Sequence, residues 1–353
     1  MKIWFDADNA PHVLILRPLA SALLQSGHEV HFTARDRAST CELMDLYGLP
    51  YTRIAGKYGA GSLGKVAGTL ARSVALARAM HNWGANVSFG HGSRALPIAS
   101  RLIGVPTVTM YDYEWVNPII FNLCCRSILL PDAIDPPRCR EAGIANGKVR
   151  RFPGYKEELY LAARPFDPAV TASLGLRDDR VRVLVRPPAT TAHYHNPEAE
   201  AILDELLTLL AESPEVQLVY LARDREQLAF LERRPVPGAV IPRQVYDGPT
   251  LVAEMDLVVG GGGTMTREAA ILGVPSCSFF RGRAGRVDEA LERTGRLTML
   301  RSVADVRAKV RPRKKTARVV PRENAALVPT IVSAILEAAK RKGRDAAARS
   351  GRL

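Results

Sequence analysis

Short runs rich in β-branched and aromatic residues alternate along the chain with longer stretches whose apolar positions recur every three or four residues. Lys2–Asp6 reads as a strand, Val13–Gln25 as a helix closed by Gly27, and His28–Ala34 as a second strand. Helix and strand then trade places through Arg37–Tyr47, Tyr51–Ala55, Leu63–His81, Asn86–Gly90, Arg94–Ile103 and Thr107–Tyr111. This βα alternation predicts a parallel sheet with helices on both faces. Between Phe152 and Arg180, Pro153, Gly154, Pro165, Pro168 and Gly175 interrupt any long period, and the domain boundary is expected there.

Beyond that stretch the alternation restarts. Strands are predicted at Val181–Arg186, Val216–Ala222, Ala239–Ile241, Leu257–Val259 and Ser276–Phe280, and helices at Glu198–Ala211, Arg225–Arg233 and Met265–Leu272. Asn324–Lys340 adds one more helix. The expectation is two Rossmann-like α/β domains, residues 1–160 and 175–320, followed by a helix over 323–340 and a basic tail over 341–353. A length of 353 residues agrees with two cores, since single cores stop growing near ~250–300 residues.

Composition sharpens this picture mainly through charge. With 47% hydrophobic and 24% charged residues the chain is globular, which excludes disorder and a coiled coil. The formal charge of +13 is concentrated: residues 307–322 hold eight basic side chains and no acid, and residues 340–353 hold six against Asp345 alone. A nucleic-acid enzyme spreads its cations over a working face, and this placement argues against one. Two readings of the basic stretches stay open: a solubilising connector and tail, or attraction of 307–322 and 340–353 to an anionic membrane surface.

Five cysteines, Cys41, Cys124, Cys125, Cys139 and Cys277, form no CxxC pair and read as buried thiols of a reducing, cytoplasmic compartment. Asp6 and Asp8 stand where a secretion signal needs an apolar run. The most apolar stretch, Ile119 to Leu130, is broken by Asn122 and Arg126, so no membrane-spanning helix is expected.

Candidate chemistry gathers where strands end. After the first strand, Asp6, Asp8, Asn9 and His12 lead into a helix, and in open α/β sheets ligands bind outside such carboxyl ends. Asn9 and His12 fit equally a helix cap and a solvated first turn. His91-Gly92-Ser93 and Asp112-Tyr113-Glu114 follow the next two strand ends and should open on the same edge, where carboxylates beside histidines supply a base and its orienting partner. Ser93 and Asp112 also suit helix capping.

In the second half, Leu257-Val258-Val259-Gly260-Gly261-Gly262-Gly263-Thr264-Met265 passes from a strand through four glycines into a helix. Missing side chains let a phosphate reach backbone N–H groups at the positive end of the helix dipole. Glu268, one turn in, is placed to accept hydrogen bonds from sugar hydroxyls, and Arg186 at the end of the facing strand suits a pyrophosphate. His193 and His195 lack the partners of a metal site. Gly59-Ala60-Gly61-Ser62-Leu63-Gly64-Lys65 imitates a P-loop, but Val66 stands where a Mg²⁺-binding Ser or Thr belongs.

These segments resemble the GT-B superfamily of nucleotide-sugar enzymes, and the chain through about Lys340 is similar to a family of unknown function placed within it. Asn9-Ala10-Pro11-His12, Gly27-His28-Glu29-Val30 and Gly104-Val105-Pro106 match the acceptor side of the lipid II-forming N-acetylglucosaminyltransferase. Gly262-Gly263-Thr264-Met265-Thr266-Arg267-Glu268 followed by Gly273-Val274-Pro275 is similar to the donor motif. UDP-N-acetylglucosamine 2-epimerase is the other relative it looks like.

The resemblance implies two domains facing across a cleft, with the last helix crossing back onto an acceptor-side first domain. It also implies a metal-independent glycosyltransferase of glycan biosynthesis that takes a UDP-type sugar and an unknown acceptor. The diphosphate would lie against Gly261, Gly262, Gly263, Thr264, Met265 and Arg186, with the ribose on Glu268. His12 or Glu114 would take the acceptor proton, with Asp112 and His91 beside them and Asn9, Ser93, His195 and Arg281 in support. The alternatives are 2-epimerisation, for which Asp112, Glu114, His91 and His195 would serve, and a nucleotide- or nucleic-acid-binding protein without turnover.

Overall fold

The computed structural model describes residues 1–36, 39–54, 61–162, 167, 169–188, 197–222, 224–316 and 323–350, with the side chains of all but 62 and 341–350. The chain divides into two compact units, one made of Met1–Tyr160 with Asn324–Leu353 and the other of Leu161–Glu323.

The first unit carries strands β1 (Lys2–Ala7), β2 (Glu29–Arg35), β3 (Tyr51–Ile54), β4 (Val87–His91), β5 (Thr107–Met110), β6 (Cys125–Pro131) and β7 (Val149–Phe152). Helices α1 (Ala10–Gln25), α2 (Thr40–Leu46), α3 (Gly61–Met80), α4 (Ala95–Leu102), α5 (Ile119–Cys124) and α6 (Pro136–Glu141) connect them, and α7 (Glu158–Leu161) ends the unit. All seven strands are parallel, in the order β3-β2-β1-β4-β5-β6-β7. The order reverses between β1 and β4, where Asp6 and Gly90 are register partners. Strands covered on both faces must be apolar throughout. Ile3, Trp4 and Phe5 are accordingly fully buried, with Phe5 between Phe32 and Phe89 at ring separations of 5.6 and 5.5 Å.

The second unit holds α8 (Ala169–Ser173), β8 (Val181–Arg186), α9 (Pro197–Ala211), β9 (Val216–Tyr220), α10 (Arg225–Arg233), α11 (Gly248–Ala253) and β10 (Leu257–Gly260). It continues through α12 (Thr264–Leu272), β11 (Ser276–Ser278), α13 (Arg286–Arg293), β12 (Thr298–Met299) and α14 (Val303–Lys309). Its parallel sheet runs β12-β11-β10-β8-β9, so the reversal lies between β8 and β10, with Gly260 opposite Arg186.

Helix α15 (Leu327–Ser350) then returns to the first unit, lying against α1 and β4 to β7. Leu327, Ile331 and Ile335 are its buried face. Asn324 anchors the approach, its amide donating to the Pro153 carbonyl at 3.2 Å and to the Glu158 carboxylate at 2.7 Å.

The structure departs from the sequence reading at several points. The stretch from Ile119 forms α5 and β6, to which no element had been assigned, and β7 was missed because the consecutive arginines of Val-Arg-Arg-Phe hide the strand pattern. Ala239–Ile241 forms only a single bridge, Val240 to Val219. Helix α15 starts at Leu327 and runs past Lys340 into the basic tail. The basic connector opens as the end of α14, and several of its cations are engaged. Arg307 pairs with Glu205 and Glu212, Lys309 with Asp305 at 3.1 Å, and Lys314 with Asp256 at 3.2 Å. Those side chains answer acids of their own unit.

Ile335 inserts a fully buried side chain under the first sheet. Ile335→Ala is expected to cost about 2–5 kcal/mol, read as a lower denaturant midpoint in chemical unfolding followed by circular dichroism.

Candidate functional site

In the first unit everything near the β1–β4 reversal is built on Asp6. Its fully buried carboxylate accepts from both Arg72 terminal nitrogens at 2.8 and 3.0 Å, from the Ser93 hydroxyl at 2.9 Å and from the Thr33 hydroxyl at 2.8 Å. Asp8 follows with Arg72 at 3.4 Å and Arg35 at 3.5 Å. The two acids at the first strand's end therefore fix the turn. Ser93 supports them and also receives the Leu96 N–H at 3.4 Å.

That turn sets His12 in the first turn of α1. Asn9 occupies the N-cap position in extended conformation without a side-chain capping bond. The His12 Nδ1 accepts the Asp8 backbone N–H at 3.3 Å, which leaves Nε2 as the N–H of the neutral ring. Burial holds the His12 pKa well below 6.5, reinforced by the nearby charges of His91, Arg72 and Lys156. The His91 ring meets His12 edge-on, with ring centres 5.0 Å apart. His91 Nε2 faces Asp112 Oδ1 at 3.6 Å, and the other Asp112 oxygen takes the buried Lys156 ammonium at 2.5 Å. Lys156 also binds Glu157. One ammonium thus serves two carboxylates beside a pair of imidazoles.

His12, His91 and Asp112 come together as expected for one sheet edge. Glu114 has other surroundings: its fully buried carboxylate faces the Arg138 guanidinium at 3.6 Å, and Arg138 in turn lies over the Trp115 ring at 4.8 Å. Lys156 and Glu157 were not singled out from the sequence, because they follow the unrecognised strand β7 inside the Pro- and Gly-broken stretch. The run Lys156-Glu157-Glu158 directly after a strand end was the available signal.

In the second unit the glycines divide their work. The Gly261 N–H donates to the Arg186 carbonyl at 3.0 Å, and a Cβ there would lie 2.5 Å from Pro188. Gly261 therefore closes β10 onto β8 and does not offer its N–H to a ligand. Gly262 has φ +101° and would bring a Cβ within 2.6 Å of the Phe280 ring. Gly263, with φ +103° and open space around it, is the N-cap of α12. The first turn of a helix has backbone N–H groups without intrahelical partners, and here Gly263, Thr264 and Met265 begin that turn.

Glu268 is buried on α12 towards α11, where a Cβ at Gly248 would come 4.0 Å from its Oε2. The Arg186 guanidinium donates to the Leu221 carbonyl at 2.7 Å. Arg281 donates to the Arg301 carbonyl at 2.5 Å and lies 3.8 Å from Glu198. His193 and His195 fall outside the described residues. So do Gly59 and Ala60 of the P-loop imitation, whose remainder forms the first turn of α3.

Two Rossmann-like units, each with a parallel sheet that reverses its strand order, and a terminal helix returned to the first unit define a GT-B-like fold. The chain belongs to the family described as "Protein of unknown function (DUF354)", which matches residues 1–339. It is 26% identical over 314 residues to the uncharacterized protein MJ0665 of Methanocaldococcus jannaschii, spanning 87% of this chain and 89% of that one.

Among solved structures, UDP-GlcNAc 2-epimerase from Neisseria meningitidis bound to UDP-GlcNAc is similar with a TM-score of 0.75 at 12% identity, over 96% of this chain and 100% of that one. MurG of Acinetobacter baumannii is similar with a TM-score of 0.51 at 14% identity, over 95% and 99%. Likeness at this identity establishes the fold.

Two outcomes follow from the geometry. The Gly263 conformation is one that only glycine adopts freely, so Gly263→Ala is expected to lose about 1–3 kcal/mol in equilibrium unfolding despite the open space. For His12, the unfolded ring takes up a proton near pH 6.5 while the folded ring stays neutral. The unfolded state then binds more protons, and stability falls as the pH drops below that value. The slope from this group is at most about 1.4 kcal/mol per pH unit. Denaturant titrations from pH 7 to 5 should show wild type losing stability faster than His12→Gln.

Proposed function

We propose that the protein acts on nucleoside-diphosphate sugars and breaks the bond between the anomeric carbon and the diphosphate, transferring the sugar to an acceptor hydroxyl. The observation that carries this reading is the glycine-built N-terminus of α12, where a Cβ at Gly261 or Gly262 would strike Pro188 or Phe280 and Gly263 caps the helix in open space.

In this reading the diphosphate binds the first turn of α12 over Gly263, Thr264 and Met265, where helix dipole and N–H groups stabilise the charge gained on departure. Glu268 takes the ribose hydroxyls and Arg186 the diphosphate. The acceptor oxygen attacks the anomeric carbon, the bond to the diphosphate oxygen breaks with its electron pair, and the hydroxyl proton moves to the protein. The ring contacts support one choice of base. His12 carries its proton on Nε2 and acts as a hydrogen-bond donor. Asp112 opposite His91 Nε2 favours the N–H there and leaves His91 Nδ1 as the acceptor of the proton. In this reading His91 takes the proton, with Asp112 orienting it and Lys156 holding Asp112.

A second reading, epimerisation at C2 of a UDP-N-acetylhexosamine, is favoured by the higher TM-scores with the 2-epimerases. The same first bond would break, but the proton would come from C2 and return to it.

Thermal shift with nucleoside diphosphates and their sugars tests the shared step, since a ligand at 100 times its Kd stabilises by about 2.7 kcal/mol. One nucleotide should shift wild type and His91→Ala alike and leave Glu268→Ala unshifted, while His91→Ala loses about 10²–10⁴-fold in turnover. No shift with any nucleotide overturns the proposal. Deuterium entering C2 of the recovered sugar in D₂O, without an acceptor, selects epimerisation over transfer.

A further inference from the structure

Asn324 is the first residue of the segment that returns to the first unit. Its amide nitrogen donates to two acceptors of a single turn far back along the chain, the Pro153 carbonyl at 3.2 Å and Glu158 Oε2 at 2.7 Å. The same Glu158 oxygen accepts the Tyr155 backbone N–H at 3.2 Å. Gly154 makes the bend possible. Its φ is +78°, and a Cβ there would strike the Glu158 carboxylate and lie 2.5 Å from the Asn324 amide nitrogen. The Asn324 carbonyl accepts the N–H of Leu327, whose buried side chain begins the packed face of α15. The end of the chain is thereby closed onto the 153–158 turn.

Lys156 lies inside this turn, between β7 and α7, where no strand or helix includes it. Its ammonium nevertheless reaches a buried position, 2.5 Å from Asp112 Oδ2 and in contact with Glu157. A lysine is a point charge on a flexible four-carbon stem. It holds a carboxylate in one place only where its own backbone is held. Asp112 in turn sets its other oxygen 3.6 Å from His91 Nε2. A continuous line of contacts runs from Asn324 through the turn to Lys156, Asp112 and the His91 ring.

We propose that Asn324 is a positioning residue of the histidine site, fixing the 153–158 turn so that Lys156 keeps Asp112 on His91 Nε2. It acts through the turn and touches neither ring. An anchor that served α15 alone would affect His91 no more than any other weakening of that helix. The consequence for sugar transfer rests on the reading of His91 as the proton acceptor, whereas the consequence for the His91 ring does not.

The test uses the full chain labelled with ¹⁵N-histidine, in which two-bond ¹H–¹⁵N spectra distinguish an Nδ1–H from an Nε2–H ring. The His91 signal is identified by its loss in His91→Ala, and in wild type it should be that of the Nε2–H form. Asn324→Asp removes the donor and sets a carboxylate against Glu158, and Gly154→Ala separates the same groups from the other side. Both should shift His91 towards a mixture of tautomers, as Lys156→Met should. Asn324→Asp/Glu158→Gln restores the bond with donor and acceptor exchanged and should recover the wild-type signal. Ile335→Ala, which weakens α15 elsewhere, should leave that signal in place at temperatures below its own unfolding. With a nucleotide sugar, Asn324→Asp should lose up to about 10²-fold in kcat, the cost of misplacing a reacting group by an ångström, at unchanged KM. Three results overturn the proposal: a wild-type His91 signal in both Asn324→Asp and Gly154→Ala, an unchanged signal in Lys156→Met, or the same change in Ile335→Ala. If no nucleotide shifts wild type, the transfer reading fails and the spectra alone decide the role of Asn324.

Discussion

The buried ion pair between Asp6 and Arg72 is the constraint on which the first unit turns. A carboxylate removed from water at the end of a central strand is tolerated only when paired and hydrogen-bonded. Asp6 draws its partners from β2, α3 and the loop after β4, through Thr33, Arg72 and Ser93. Four chain segments are therefore indexed to one side chain. The turn that carries His12, the strand end that carries His91 and the roll of α3 about its own axis all follow from it. Breaking such a pair costs more than its formation contributes, about 3–5 kcal/mol when one partner is lost, so it specifies an arrangement more than it stabilises one.

The two units solve the same geometric problem with opposite materials. At the reversal in the first sheet, charged and ring-bearing side chains fill the space beyond the strands. At the reversal in the second, side chains are withdrawn: Gly261 and Gly262 lie where any Cβ would strike Pro188 or Phe280. The first arrangement gathers titratable side chains at the strand ends, and the second keeps side chains away from the start of a helix.

Most of the architecture could be read along the chain, because strands buried on both faces must be apolar and helices covered on one face must be periodic. The reading failed where local chemistry departs from that rule. Strand β7 is Val-Arg-Arg-Phe, with Arg151 donating to the Asp132 carbonyl, so it has no continuous apolar run. With β7 missed, Lys156 lay in what looked like a linker, although it anchors Asp112. The convergence of His12, His91 and Asp112 was legible because topology alone brings strand ends together. The roles within that group were not, since they depend on which ring nitrogen receives the Asp8 N–H. The glycine run raised the expectation of an anion site, but it did not reveal that Gly261 spends its own N–H on closing the sheet.

The return of α15 to the first unit bears on the order in which the molecule is made. Ile331 and Ile335 cover β4 to β7, yet they are synthesised only after all of residues 161–323. At ~5–20 residues per second, roughly ten to thirty seconds separate the end of the first sheet from the helix that seals it. During that interval one face of four strands lies open on the ribosome while the second unit completes its own sheet. Vectorial synthesis thus reverses the apparent order: the later unit can finish first, and the chain's beginning waits for its end.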